Sequence, residues 1–213
     1  MKIFKNRIFV SILMLCWLYP NTSSAQATEK KEHLGWGFSC GLGYSHLIAT
    51  GNFYNYMKGG MGLQFDINAL YKRFEFNFSL NGHFTKVKKD FILNNNPMSK
   101  NDIILTSTLG LLASYAIVYN DYLKISPHAG ISWCELAPND ENLSPKSLFT
   151  PAIGLLIQYN SMVTSLGGLT NGFCAPYYLK YNYCFPRKYT TDINSGMHII
   201  SIGFKLLYKD RDK

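Results

Sequence analysis

Asp66, Glu75, Lys124, Lys180 and Lys205, with His83 and His128, are the residues of this chain best suited to do chemistry. They fall on the same alternate positions as runs of Gly, Ser, Asn and Thr, opposite runs of large apolar side chains. Carboxylates, amines and imidazoles so placed can build a buried ion-pair network, line a narrow pore, or carry acid–base and nucleophilic catalysis. A Ser/His hydrolase needs the hydroxyl within hydrogen-bond reach of the imidazole and a third group orienting that base. Ser126 and His128 lie two residues apart on one face, and Ser114 is expected opposite His128, but neither pair has an acid at matching depth. A buried charge is costly unless paired. The expectation is therefore a salt-bridged network that plugs an interior, with no catalytic residue. The His residues are scattered and there is no C-x-x-C, so neither a metal site nor a cofactor is expected.

The elements that position these groups read as β-strands, whose successive side chains point to opposite faces. Trp36, Phe38, Cys40, Leu42 and Tyr44 alternate with Gly37, Ser39, Gly41, Gly43 and Ser45. Similar stripes follow at 61–69, 74–83, 105–117, 123–133, 151–159, 177–183 and 200–208, which makes eight candidate strands. The uncharged stretch Ile103 to Tyr119 could be read as a short transmembrane helix, but it is rich in Thr and Ser and keeps the two-residue alternation. Pairing follows from parity. With Lys72-Arg73 as a two-residue turn, Asp66 faces Ser79, Asn68 faces Asn77, Phe65 faces Leu80 and Ile67 faces Phe78. A one-residue slip would scramble every pair. Across Asn120-Asp121 the same test places Ser114 opposite His128 and Leu111 opposite Ile131. Connections of a dozen or more residues at about 47–59, 85–102, 134–147 and 185–196 alternate with tight turns at about 72–73 and 119–122. The connection at about 160–174 is longer than this order requires. Long loops at one end and short turns at the other are the form of a transmembrane barrel.

The N-terminus is an address. Lys2, Lys5 and Arg7 precede an apolar run, Ile8 to Tyr19, and then Ala25-Gln26-Ala27, the anatomy of a cleaved secretory signal over residues 1–27. That run is shorter than the roughly 20 residues of a spanning helix. Residues 28–213 then form the barrel domain. Charged residues make up only 16% of the chain, well below the roughly 25% of a soluble domain. Mean hydropathy is −0.05, too polar for a bundle of membrane helices. Disorder, coiled coil and helical transporter are all disfavoured.

Alternation alone does not say which face points inward. A soluble lipocalin-like barrel would fill its interior with the apolar face, around a small apolar ligand, and carry many charges outside. Here the polar face is Gly- and Ser-rich with few charges, which suits the crowded interior of an eight-stranded barrel. Tyr44, Tyr71, Tyr115, Tyr159 and Tyr208 fall near strand ends on the apolar face, as in the aromatic girdles of membrane barrels. The last stripe, Ser201 to Tyr208, has Gly203 followed by Phe204, Leu206 and Tyr208 at alternate positions. This resembles the C-terminal signal read by the β-barrel assembly machinery, although the charged residues Lys209 to Lys213 follow it. Over residues 34–208 the chain resembles the small outer-membrane β-barrel family of OmpX/OmpA-like proteins. That resemblance implies an all-β, eight-stranded, antiparallel up-and-down transmembrane barrel in the outer membrane, with a structural or surface-interaction role through its long loops. The family of such barrels also includes lipid A-modifying enzymes, but the His-x-Ser pattern of the deacylases is absent here.

Two further features bear on partners. Lys86, Lys88, Lys89 and Lys100 share the 85–102 loop, where they would meet lipopolysaccharide phosphates above the lipid; Asn94-Asn95-Asn96-Pro97 at its centre reads as a mobile turn. The pI near 9.2 would otherwise suggest nucleic acid, which an exported barrel does not meet. Cys40, Cys134, Cys174 and Cys184 follow the signal, an even number that permits disulfides; Cys134 and Cys184 both lie toward the outer end, and Cys40 faces lipid.

Overall fold

Alternating burial runs the length of the strands in the computed structural model, which describes residues 34–119, 122–140, 143–159, 173–189 and 194–211. In β3 (Phe74–Lys86) every second residue is buried, and in β2 (Gly60–Tyr71) every second residue but the half-buried Gly62. The remaining elements are β1 (Leu34–Ala49), α1 (Phe53–Tyr56), β4 (Phe91–Leu93), β5 (Asn96–Met98), β6 (Ile103–Tyr115), β7 (Val118–Tyr119), β8 (Leu123–Pro138), β9 (Lys146–Tyr159), β10 (Phe173–Cys174), β11 (Tyr177–Lys188) and β12 (Asn194–Arg211). The wall runs β1-β2-β3-β6-β8-β9-β11-β12, all antiparallel, and closes by pairing β12 with β1. The signal segment 1–27 and most of the long connection at 160–174 lie outside the described residues.

The stagger of the wall follows from its register. Hydrogen-bonded partners lead from Ser39 through Asn68, Asn77, Leu112, Gly130, Ala152, Cys184 and Met197 back to Ala49 on β1. The circuit thus returns ten residues further along the starting strand, 49 − 39. Eight strands with that stagger tilt by about 40° and leave an interior filled by side chains.

The side chains on the two faces are opposite to those of a soluble barrel. Leu63 and Phe84 are each 66% exposed on the outer wall, in a continuous apolar surface far larger than monomeric soluble proteins carry. Trp36, Tyr71, Phe74, Tyr115, Tyr159, Tyr177 and Tyr208 ring the outer wall at the short-turn end. Trp36 packs against Tyr71 at a tilt with ring centres 4.6 Å apart, and Phe74 meets Tyr115 edge-on at 5.0 Å. Ten residues separate Phe74 from Phe84 on β3, a height of about 25 Å at this tilt, which matches the apolar band of outer-membrane barrels.

The register expected between β2 and β3 holds, with Lys72 in the left-handed region at the turn (φ 54°). Ser114 pairs with His128 and Leu111 with Ile131, also as expected. Beyond them the hairpin shifts by one: Val118 pairs with Ile125 and Tyr119 with Lys124, because the chain breaks from the ladder at Ala116-Ile117. The strands also run further than expected at the long-loop end, with β8 reaching Pro138. Asn94 and Asn95 do make the expected turn, and β4 and β5 pair on either side of it. At φ 50° and 68° they form the two-residue turn of the β4–β5 hairpin, a conformation Asn tolerates and strand twist favours.

Candidate functional site

The inward face is organised in tiers from the short-turn end upward. At the bottom, β3 supplies Glu75, β8 Lys124 and β12 Lys205. Lys205 Nζ donates to Glu75 Oε1 at 2.8 Å, and Lys124 Nζ donates to Oε2. One step higher, Lys180 Nζ on β11 donates to Asp66 Oδ1 at 2.9 Å, Asn77 Oδ1 at 2.8 Å and Ser79 Oγ at 3.2 Å. Gln64 Nε2 donates to the second Asp66 oxygen at 2.5 Å. Asn68 links this group to Asn77 and, at 2.9 Å, to Ser39. The five expected charges are thus gathered into two centres, two carboxylates against three ammoniums. All five residues are buried.

The imidazoles do not form the catalytic pair considered above. His128 Nε2 bonds Asn182 Oδ1 at 2.5 Å, while the Ser114 hydroxyl donates to the Glu75 carbonyl at 3.3 Å. Gly154 lies between His128 and Asn182 in the ladder, and a Cβ there would stand 2.3 Å from the imidazole, so only Gly leaves the path open. The Ser–His contact that does exist, Ser45 Oγ to His83 Nε2 at 2.8 Å, went unnoticed in the sequence because its members sit on β1 and β3, with Gly62 of β2 between them. Both side chains are sealed inside the barrel. Tyr178 was also missed, although it shares the parity of Lys180. Its ring fills the space over Gly41 and Gly43, 5.6 Å from the Lys205 ammonium.

Above the polar tiers the lumen dries. Leu47, Phe53, Met57, Leu93, Ile104, Leu136 and Met197 form part of one buried cluster with Cys134, Cys184 and Tyr189. The α1 turn and the β4–β5 hairpin fold into it, and Asn94 and Asn96 amides reach the Pro145 and Ser144 carbonyls at 3.4 Å. Between cap and polar tiers a cavity lined by Asn81, Thr108, Ser132 and Asn182 has about 10 Å³ of space for a water's centre, about one molecule's worth.

Outside the lumen, Lys86, Lys88 and Lys89 sit on a ledge with Tyr54 and Tyr56. Lys88 Nζ donates to the Tyr54 carbonyl at 2.7 Å and lies 3.5 Å from that ring's centre; Lys89 lies 5.9 Å from the Tyr56 ring. Lys58 joins them, since its backbone N–H donates to the Lys86 carbonyl at 2.8 Å. Lys100 is placed differently: its N–H donates to Asp90 Oδ1 at 2.7 Å, which sets an acid beside it. Along β12, Ser201 and Lys205 point inward while Phe204, Leu206 and Tyr208 point to the outer wall. Gly203 packs against β1, where a Cβ would meet the Leu42 carbonyl at 2.2 Å. Cys40, Cys134 and Cys184 are free thiols, and Cys40 does face the outer wall. Among the described residues no group of three or more His, Cys, Asp or Glu side chains gathers, and no helix is long and apolar enough to cross a membrane.

Closed antiparallel pairing with an apolar outer wall and a polar interior decides the architecture. This chain has the fold of a small eight-stranded outer-membrane barrel. Neisserial surface protein A is similar to it with a TM-score of 0.55 at 16% identity, over 79% of this chain and 96% of that one. OprG from Pseudomonas aeruginosa gives 0.48 at 11% identity over 84% and 98%, and Ail of Yersinia pestis 0.46 at 13% over 80% and 99%. Neither a family model nor a curated relative matches the sequence.

Proposed function

We propose that the chain is an integral outer-membrane protein, exported through a signal removed after Ala27, with a structural or surface-interaction role carried by its outer end. The observation that supports this best is the apolar cap of α1 and the β4–β5 hairpin over a lumen already filled by paired charges. Such an interior suits neither an apolar ligand nor an open aqueous path. The ledge of Lys58, Lys86, Lys88 and Lys89 with Tyr54 and Tyr56 then stands at the long-loop end, just above the apolar band that ends at Phe84, at the depth of lipopolysaccharide phosphates. Ammonium groups beside aromatic faces suit an anionic, partly carbohydrate surface. Ser201, Gly203, Phe204, Leu206 and Tyr208 would engage the barrel assembly machinery.

Fractionation tests the location. Expressed in a Gram-negative host, the chain is expected in the outer membrane, with faster gel mobility before boiling than after. Recovery in the soluble periplasm overturns the reading. For the ledge, Lys88→Glu with Lys89→Glu should weaken binding to lipopolysaccharide in a salt-dependent way while leaving the boiling-dependent shift intact. Unchanged binding removes lipopolysaccharide as its partner.

A further inference from the structure

The outer wall is apolar through most of its band, but on β11 and β12 it carries a polar cluster that neither the lumen network nor the lysine ledge uses. Tyr181, Tyr183 and His198 have outward parity, alternating with the buried Asn182, Cys184, Met197 and Ile199. Tyr183 pairs with His198 across the ladder, and Tyr181 lies two residues below it on β11. The Tyr181 hydroxyl donates to His198 Nδ1 at 2.6 Å, with the planes of the two rings 25° apart. Tyr183 stacks on the same imidazole at 4.7 Å, and the Phe185 ring follows 5.1 Å from Tyr183. On β12, His198 stands ten residues above Tyr208 (208 − 198), the same span that separates Phe74 from Phe84, so the cluster lies at the upper edge of the apolar band. Arg187 and Lys188, both exposed, continue β11 toward the outer water.

An ionisable group on a lipid-facing surface is costly and marks a function. A girdle tyrosine needs only its ring in the headgroup zone and its hydroxyl toward water. Tyr181 instead turns its hydroxyl along the wall onto an imidazole. A phenol becomes a strong anionic ligand once its proton is taken, and His198 Nδ1 is placed to take it. Tyrosine is one of the axial ligands that proteins give to haem iron. The surroundings fit the rest of such a group: aromatic rings beside the phenol, and two cations on the water side. A flat, apolar ligand with ferric iron at its centre and carboxylates along one edge matches all three features.

We propose that Tyr181 and His198 bind a ferric porphyrin of the haem class at the lipid–water boundary, with Tyr181 Oη as axial ligand and the propionate edge toward Arg187 and Lys188. As the iron–oxygen bond forms, the phenol proton passes to His198 Nδ1 and the water held by the free ferric porphyrin leaves. The iron stays ferric and no electron changes hands. The imidazolium offsets the phenolate charge and fixes its direction, the usual part of a hydrogen-bonded partner behind a metal ligand. Arg187 suits the propionates because its guanidinium pairs with carboxylates through two parallel hydrogen bonds. The site takes the apolar outer wall as facing lipid, and so rests on the membrane reading, but it is separate from the ledge proposed to meet lipopolysaccharide.

The test uses the full chain purified in detergent micelles, with folding established first by its boiling-dependent mobility, so that a failed barrel reading is separated from a failed site. Haemin is titrated against the folded chain, with protein-free micelles as the blank. About one equivalent is expected to bind, with the charge-transfer absorption of a ferric phenolate. Tyr181→Phe should abolish that absorption, and His198→Ala should weaken binding about tenfold or more. Tyr115→Phe, on the far side of the outer wall, should change nothing. Should the Tyr181 and His198 variants not fold, metal-free protoporphyrin IX reads the same site in the wild-type chain: without iron to ligate, it should bind about tenfold or more weakly than haemin. Haemin held no better than by micelles alone, an unchanged spectrum in Tyr181→Phe, or equal affinity for the metal-free porphyrin overturns the proposal.

Discussion

Replacing Glu75 by Gln keeps the shape of the side chain and removes the one negative charge shared by Lys124 and Lys205. Glu75 is 2% exposed, and the other lumen carboxylate, Asp66, is already engaged by Lys180, so neither ammonium has a substitute partner nearby. Breaking one buried pair by removing a partner costs about 3–5 kcal/mol. Two pairs that share a carboxylate are not additive, so the expected loss is about 4–6 kcal/mol, more than one pair and less than two. A domain is stabilised by about 5–15 kcal/mol in total, so such a loss should be plain in urea titrations in micelles, with the folded fraction read from unboiled gel mobility. The matching triple variant, Glu75→Leu with Lys124→Met and Lys205→Met, removes every charge of the centre together. It should recover most of the loss, because an apolar replacement of a whole buried ion group is often neutral. A loss under about 1 kcal/mol for Glu75→Gln, or a triple variant less stable than the single one, would refute the view that these charges are dry and mutually dependent.

Three further outcomes follow from the geometry. Gly154→Ala sets a Cβ 2.0 Å from the Tyr181 carbonyl and 2.3 Å from His128, so it should cost about 1–3 kcal/mol as an overpacked site, read by the same urea titration. Leu93→Ala empties part of the cap and should cost about 2–5 kcal/mol locally; limited proteolysis is then expected to cut near Asn94-Asn95 while the barrel keeps its gel shift. Ending the chain before Tyr208 removes the aromatic that closes β12 at the lower ring, and outer-membrane levels of that variant should fall; normal levels would count against β12 as the assembly signal.

The membrane-embedded part of the barrel was legible because one rule governs it throughout: residues of one parity meet lipid and the others meet each other. That rule places Asp66 opposite Ser79 and Ser114 opposite His128 without any coordinates. What it does not carry is contact across the lumen. Glu75 and Lys205 are far apart in sequence and meet only because the wall closes with a stagger of ten residues, a quantity set by the pairing of β1 with β12. The Ser45–His83 and His128–Asn182 contacts depend in the same way on a glycine in the strand between their members, which alternation registers only as a small residue.

The rule fails outright above the apolar band of the outer wall, and its failure explains the cap. Leu47, Ile104, Leu136, Met197 and Ile199 share parity with the polar lumen residues, yet they are apolar and almost wholly buried. An apolar side chain on a strand signals lipid only where lipid is the apolar phase available. Once the strands rise past the bilayer, water surrounds the outer wall, and burial must be found inside, as in a soluble protein. Phe53, Leu93 and Met98 from α1 and the β4–β5 hairpin complete that small core. The change from polar to apolar along the inward face, near Asn182 and Cys184 on β11 and near Ser132 and Cys134 on β8, therefore marks where the membrane-spanning segment ends and the outer structure begins.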